Sequence, residues 1–375
     1  MPGEICLITS IYPPESGGPA KFCFEFAKWL ADLGYPVKVI TYSSDRYLDS
    51  YPGIKVIAVK TEGNLIVRYL RMSWTIWKNA AGTSSVLVAG AFIETGIASL
   101  FHRSQYLSKI PGDIVWERAR NNKITDLEIV DFQDSSLPWK YSVFRFLFHQ
   151  SIKRSSGVIA PSNFINSLVQ KWGVEKTKIQ TIYNSILIDE QTASMSSAKK
   201  YDVLTVARLV PWKGISELIE VCADLNLSLC VVGNGPELQN LSSLANAVNG
   251  EVDFLGQIHP SQMQTIYSRS RIFVLNSSYE GLPHVLIEAR LAGVMTIAKA
   301  GTGSDEVITN GVDGLLVGEA EQLSLKSALL WANAHSDECS ELTRNAKTDL
   351  RNRFDQEINF RKILNTLTNV SNHAK

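Results

Sequence analysis

The chain has no net charge: 37 lysines and arginines face 37 aspartates and glutamates. No overall field therefore gathers nucleic acid or any single class of charged partner. The five cysteines (Cys6, Cys23, Cys222, Cys230, Cys339) are isolated, odd in number and without C-x-x-C spacing, so a reducing compartment is expected. The opening MPGEICLITS lacks the charged and apolar regions of a signal peptide, and no apolar run approaches the length that spans a bilayer. A cytoplasmic protein is expected, soluble or peripherally attached at the inner face of the membrane. Internal repeats of short period and low-complexity segments are absent as well.

At 375 residues the chain exceeds one typical domain and can bury two cores. Residues 1–190 hold 21 basic and 17 acidic side chains and 191–375 hold 16 and 20, an asymmetry that ordinary scatter also produces. Short β-branched runs alternate with helix-like stretches: ICLITS (5–10), VKVITY (37–42), IKVIAV (54–59), VLVAG (86–90), DIVWE (113–117), GVIAPS (157–162) and KIQTIY (178–183). After the polar stretch DEQTASMSSAKK (189–200) a second series follows, from DVLTVAR (202–208), LSLCVVG (227–233) and VDFLG (252–256) to RIFVLN (271–276), MTIAKA (295–300) and GLLVG (314–318). Such alternation is the pattern of parallel sheets covered by helices. It predicts an α/β chain: a doubly wound, Rossmann-like domain over 1–188, a linker over 189–200, a second such domain over 201–354, and a C-terminal helix and tail over 355–375.

The segment SSYEGLPHVLIEARLAG (277–293) sets Glu280 and Glu288 on either side of seven residues that include Gly281 and Pro283. Proline suits the first turn of a helix, so the spacing predicts a loop through Glu280 and a helix over about 284–291. A helix start attracts anions, and a carboxylate touching the same phosphate would be repelled. The two glutamates therefore call for hydroxyl donors, and a ligand with both phosphates and sugars uses every part of the segment.

Other loops fit that reading. VARLVPWKG (206–214) puts Arg208 directly after a strand and Lys213 at the next helix start, two cations able to neutralise a diphosphate without a metal; solvated surface charge is the plain alternative. VVGNGPEL (231–238) has Gly233 and Asn234 between a strand and a helix, where glycine allows a ligand close approach, but Leu238 stands where a dinucleotide fingerprint needs its third glycine. YPPESGGPAK (12–21) offers Gly17 and Gly18 before the first helix, where backbone N–H groups can meet a phosphate.

Taken together, these motifs resemble glycosyltransferase family 4, the retaining enzymes of GT-B fold, most strongly from Asp202 to Gly314, where GTGSDEVITNGVDGLLV (301–317) also follows the family's pattern. The resemblance implies two Rossmann-like domains facing across a cleft, with the C-terminal helix returning to the first. It implies that Arg208 and Lys213 hold the donor diphosphate, Glu288 the ribose hydroxyls and Glu280 the donor sugar. Gly281, Leu282 and the backbone from Pro283 through His284 and Val285 to Leu286 would take the distal phosphate or sugar, with Gly17 and Gly18 closing over the donor. The implied substrates are a nucleoside diphosphate sugar, its base UDP-, GDP- or other, and a saccharide or lipid-linked acceptor. No cofactor is implied, and metal is not required. The other main glycosyltransferase architecture usually needs a D-x-D metal site, and no such triplet occurs.

One departure stands out. The histidine many members carry in the first domain is replaced around IPGDIVWER (110–118) by Gly112 and Asp113. Asp113 or Glu117 could substitute in the site, or cap a strand end. His102 and His149 read as structural. A binding-only protein that keeps the donor pocket, or a GT-B phosphorylase or epimerase, remains an alternative. The aromatic and basic stretch WKYSVFRFLFHQSIKR (139–154) reads as a core helix on the first sheet, against a membrane-surface helix as the other reading. YLRMSWTIWK (69–78) reads as core in the same way.

Overall fold

The computed structural model divides into two compact units, Met1–Ile182 with Phe360–Lys375, and Tyr183–Asn359. It describes residues 3–15, 17–43, 51–80, 82–101, 105–186, 199–318 and 323–372. Most of the expected linker 189–200, most of the loop 43–52 and His102 lie outside the described residues.

Unit 1 is built on seven parallel strands, β1 (Ile5–Ile8), β2 (Val37–Tyr42), β3 (Ile54–Val59), β4 (Ser85–Val88), β5 (Leu107–Lys109), β6 (Gly157–Ala160) and β7 (Ile179–Thr181), in the order 3-2-1-4-5-6-7. Unit 2 has six, β8 (Tyr201–Val206), β9 (Leu229–Val232), β10 (Val252–Gly256), β11 (Ser270–Leu275), β12 (Met295–Lys299) and β13 (Leu315–Val317), in the order 10-9-8-11-12-13. Central strands such as Ile5–Ile8 and Leu229–Val232 are buried at every residue, because helices cover both faces of a parallel sheet. That is why they read as continuous apolar runs. The strand order reverses between β1 and β4 and again between β8 and β11, so each sheet has a switch point where two carboxyl-end loops diverge. Each unit is thus a doubly wound, Rossmann-like layer structure.

Three segments differ from the sequence reading. DIVWE is a helix, Ile114–Asn121, not a strand; Asp113 caps it, its Oδ1 accepting the Val115 and Trp116 N–H groups at 2.9 and 3.0 Å. The buried side chains Val115, Trp116 and Ala119 recur at helical spacing. The aromatic helices Leu65–Ala80 and Trp139–Lys153 are not wholly core either: each buries one stripe, Met72 and Ile76 in the first and Phe148 and Ile152 in the second, and leaves another apolar stripe in solvent.

The last helix, Gln356–Asn372, buries Phe360, Ile363 and Leu367, spaced for one helical face, in the unit 1 core. The Phe360 ring meets Phe26 at 5.0 Å and 74° and Trp29 at 5.6 Å and 66°, both edge-on. Phe360→Ala is expected to cost unit 1 about 3–5 kcal/mol, read as a lower urea midpoint. A change below about 0.5 kcal/mol, the range of surface substitutions, would show that the helix adds little to this core.

Candidate active site

The loops that follow β8 and β11 start side by side at the unit 2 switch point, since these strands are direct neighbours with Val203 opposite Ile272 and Leu204 opposite Phe273. The loop after β8 ends in a 3-10 turn, Pro211–Lys213, and Gly214 then opens the helix Ile215–Asp224 with φ +61°. A Cβ at Gly214 would lie 2.3 Å from the Asn276 carbonyl oxygen, so glycine is required by both conformation and contact. Asn276, at the end of β11, donates from Nδ2 to Gly214 O (3.1 Å) and to Glu217 Oε2 (2.8 Å), and the Ser278 N–H donates to Trp212 O at 2.9 Å. The two loops are thereby fastened together.

Their side chains meet as well. Lys213 Nζ and Glu280 Oε1 form an ion pair of 2.6 Å, with only 16% and 13% of the side chains exposed. Two groups assigned from the sequence to different parts of one ligand thus neutralise each other in the free chain. Glu280 is also held from the next loop, where the Gly303 N–H donates to Glu280 O at 2.9 Å and a Cβ on Gly303 would sit 2.2 Å from Gly281 O. The stretch 301–306 after β12 therefore packs directly on the glutamate loop. Arg208 is exposed beside this group of loops.

The helix after Glu280 runs His284–Leu291, with Pro283 at its N-cap (φ −79°, ψ 104°) just before the first turn. Leu282 and Leu286 are core side chains. Pro283 has no N–H and the Leu286 N–H is given to Pro283 O at 3.2 Å, so neither supplies the donor that the sequence reading asked of this run. Glu288, one turn in, accepts at Oε2 from the Tyr267 hydroxyl at 3.1 Å. Burial, reinforced by that carboxylate, holds the Tyr267 hydroxyl well above its ordinary range, so the proton stays on tyrosine and the hydrogen bond orients Glu288.

Elsewhere the structure shows how the other residues singled out in the sequence are held. Gly233 (φ +129°) gives its N–H to Gly256 O at 2.8 Å, and its Cβ direction is filled by Ala207 O at 1.9 Å. Its lack of a side chain serves the approach of the β8 loop. Asn234 is exposed, but its side-chain oxygen accepts the Gly235 N–H at 2.7 Å and its carbonyl accepts the Leu209 N–H at 3.0 Å. In unit 1, Gly17 (φ +154°) caps the helix Gly18–Asp32, while a Cβ at Gly18 would meet nothing within 4 Å. Asp113 is 1% exposed and its second oxygen accepts from Gln133 Nε2 at 3.0 Å. A carboxylate so enclosed is a helix cap that a substrate cannot touch. Glu117 follows in the first turn of the same helix.

His149 stacks on Trp172 at 5.2 Å and 17°. Burial, then the Arg145 and Lys153 charges, lower its pKa to about 4. The unfolded chain takes up this proton near pH 6.5 and the folded chain near 4, so this group's contribution to stability is lost as pH falls through that window. His149→Phe should flatten melting temperature against pH between 6.5 and 4; an unchanged slope would assign the acid sensitivity elsewhere.

Residues 17–185 match the model of the glycosyl transferase 4-like domain, and 189–349 that of glycosyl transferases group 1. An uncharacterized glycosyltransferase of Methanocaldococcus jannaschii is 22% identical over 402 aligned residues, which cover 98% of this chain and 99% of the relative. A Campylobacter jejuni α-1,4-N-acetyl-D-galactosaminyltransferase, named for an undecaprenol-diphosphate-linked saccharide, is 30% identical over 166 residues, 42% of this chain and 46% of the relative. Among solved structures, Anabaena Alr3699/HepE in complex with UDP and glucose superimposes with a TM-score of 0.78 at 18% identity, covering 98% of this chain and all of the other. With both halves matched by the two models and the same fold shared along its length, the chain belongs to the GT4-type glycosyltransferases of GT-B fold.

Proposed function

We propose that the chain is a retaining hexosyltransferase. It moves a sugar from a nucleoside diphosphate sugar to a hydroxyl of a saccharide or lipid-linked acceptor, in surface polysaccharide or glycoconjugate synthesis, in the cytoplasm and at the inner face of the membrane. The observation that carries this reading is the Lys213–Glu280 pair at the unit 2 switch point, with Glu288 one helical turn beyond it. Lys213 and Arg208 take the diphosphate, Glu280 the transferred sugar and Glu288 the ribose. A diphosphate arriving at Lys213 competes with Glu280 for the ammonium, and a sugar hydroxyl arriving at Glu280 offers the carboxylate a new donor. The glycosidic C–O bond breaks with its electron pair passing to the diphosphate, where the cations stabilise the growing charge. The acceptor oxygen then bonds to the same face of the sugar carbon and its proton passes to the leaving phosphate oxygen. With two cations on the diphosphate, no metal is called for. The UDP and glucose of the Anabaena structure and the sugar transfer named for the Campylobacter relative support the substrate class.

A panel of nucleoside diphosphate sugars tested by thermal shift decides whether such a ligand binds. One that binds only the folded chain stabilises it by about 2.7 kcal/mol at a hundred times its Kd, a rise of several degrees. No rise with any base or sugar counts against the reading. The enclosure of Asp113 removes one of the two acids offered for the first-unit position and leaves the part-exposed Glu117 as the other; donor binding without transfer is the second reading, and binding without turnover or hydrolysis would select it.

A further inference from the structure

Along the helix Leu65–Ala80, Ile66 (71% exposed), Leu70 (57%), Trp74 (57%) and Trp77 (43%) recur at helical spacing opposite the buried Met72 and Ile76. Trp139–Lys153 does the same with Trp139 (72%), Val143 (48%) and Phe146 (60%) opposite Phe148 and Ile152. A third helix, Phe92–Phe101, packs against both and ends in the exposed Leu100 and Phe101. Single exposed apolar residues need no explanation, but apolar stripes on adjoining helices mark an interaction surface.

Charge says what it meets. The two striped helices carry no aspartate or glutamate, and their exposed cations are Lys78, Lys140 and Lys153, while Arg68 lies over the Tyr42 ring, Arg71 donates to the Lys60 and Glu62 carbonyls and Arg145 to those of Phe132 and Ser135. Glu94, the acid of the third helix, is buried and accepts from the Tyr42 hydroxyl at 2.9 Å. Lys78 Nζ lies 5.1 Å over the Trp74 ring and Lys140 Nζ 5.8 Å over the Trp139 ring. Indoles with ammonium groups beside them suit the boundary between acyl chains and phosphate headgroups. A protein partner of mixed charge would leave so one-sided a set of cations unmatched.

We propose that this face of unit 1 docks on a lipid surface rich in anionic headgroups, with Trp74, Trp77, Trp139 and Phe146 at the acyl boundary and Lys78, Lys140 and Lys153 on the phosphates. Among the described residues no helix is long and apolar enough to cross a membrane, so the chain lies on the bilayer. The inference deepens the membrane part of the function proposed above, and it brings a lipid-linked acceptor to the unit that carries the face.

The test is co-sedimentation of the full chain with vesicles of phosphatidylcholine alone and of equal parts phosphatidylcholine and phosphatidylglycerol. Binding to the anionic vesicles should be at least roughly tenfold stronger, since each cation near such a surface contributes roughly fivefold, and should weaken as salt rises. Trp74→Glu with Phe146→Glu should abolish it while nucleoside diphosphate affinity stays at the wild-type value. Equal binding by the variant, or no wild-type binding to anionic vesicles, would overturn the proposal. A dimer broken by the same substitutions in a chain that ignores vesicles would give the face to a second copy instead. Tryptophan quenching of the wild-type chain by brominated acyl chains needs no variant; its absence in bound samples would contradict the placement of the indoles. Donor affinity is read separately, so failure here leaves the transferase reading standing.

Discussion

Glu280→Gln should lower turnover by roughly 10- to 150-fold while leaving free nucleoside diphosphate binding as strong as in the wild type, or stronger. The rate loss corresponds to about 1.5–3 kcal/mol, the range for a hydrogen bond to a charged group, exerted mainly in the transition state as positive charge develops on the sugar. The unchanged or tighter diphosphate binding follows from the 2.6 Å contact to Lys213: once its partner is neutral, the ammonium presents its whole charge to the phosphates. Glu288→Gln should behave in the opposite way. It should weaken diphosphate and sugar nucleotide alike, because both carry the ribose. Tyr267, whose hydroxyl would donate to the amide oxygen as it does to the carboxylate, keeps the side chain in place. Matched calorimetric titrations and initial rates on the two variants separate the roles. Equal losses for both ligands in both variants would refute the division.

Lys213→Ala should weaken diphosphate binding by roughly 10- to 150-fold, again about 1.5–3 kcal/mol, and should also lower stability. Removing the ammonium leaves the Glu280 carboxylate mostly buried beside a vacant partner position. A fully buried pair loses about 3–5 kcal/mol when one member goes and an exposed pair at most about 1; this pair falls between them. Adding Glu280→Gln to Lys213→Ala should restore much of the stability and none of the affinity. That pattern distinguishes a binding lysine from a structural one. If the double variant regains both, or if Lys213→Ala binds diphosphate normally, Lys213 is a fold element only.

Much of this site was legible in sequence because the relevant signals are local. Pro283 announces the helix that begins at His284, and the strand runs before Arg208 and Asn276 are continuous because both faces of their sheet are covered. The Lys213–Glu280 contact was not legible. Its members are 67 residues apart, and the switch of strand order that joins them leaves no mark on either segment. Tyr267 gave no signal either, since one tyrosine at a helix end reads as core until its hydroxyl is seen on Glu288. The close approach of Ala207 O to Gly233 was not legible either, because a glycine after a strand shows that something comes near, not whether it is ligand or neighbouring chain. Asp113 was misread because a short β-branched run beside an aspartate fits a strand and a capped helix equally well. In the aromatic helices two apolar stripes share the helical spacing, and the residue types alone do not say which stripe meets the sheet and which meets solvent.

The most direct test of the transfer reading is a proton NMR time course of the full chain with whichever nucleoside diphosphate sugar raises its melting temperature, run in excess chelator. Retaining transfer predicts release of the nucleoside diphosphate together with a sugar that first appears in the donor's own anomeric configuration, slowly to water and faster once an acceptor hydroxyl is supplied. A sugar that first appears in the inverted configuration, turnover that stops with chelator and returns with manganese or magnesium, or no release under any condition would contradict it.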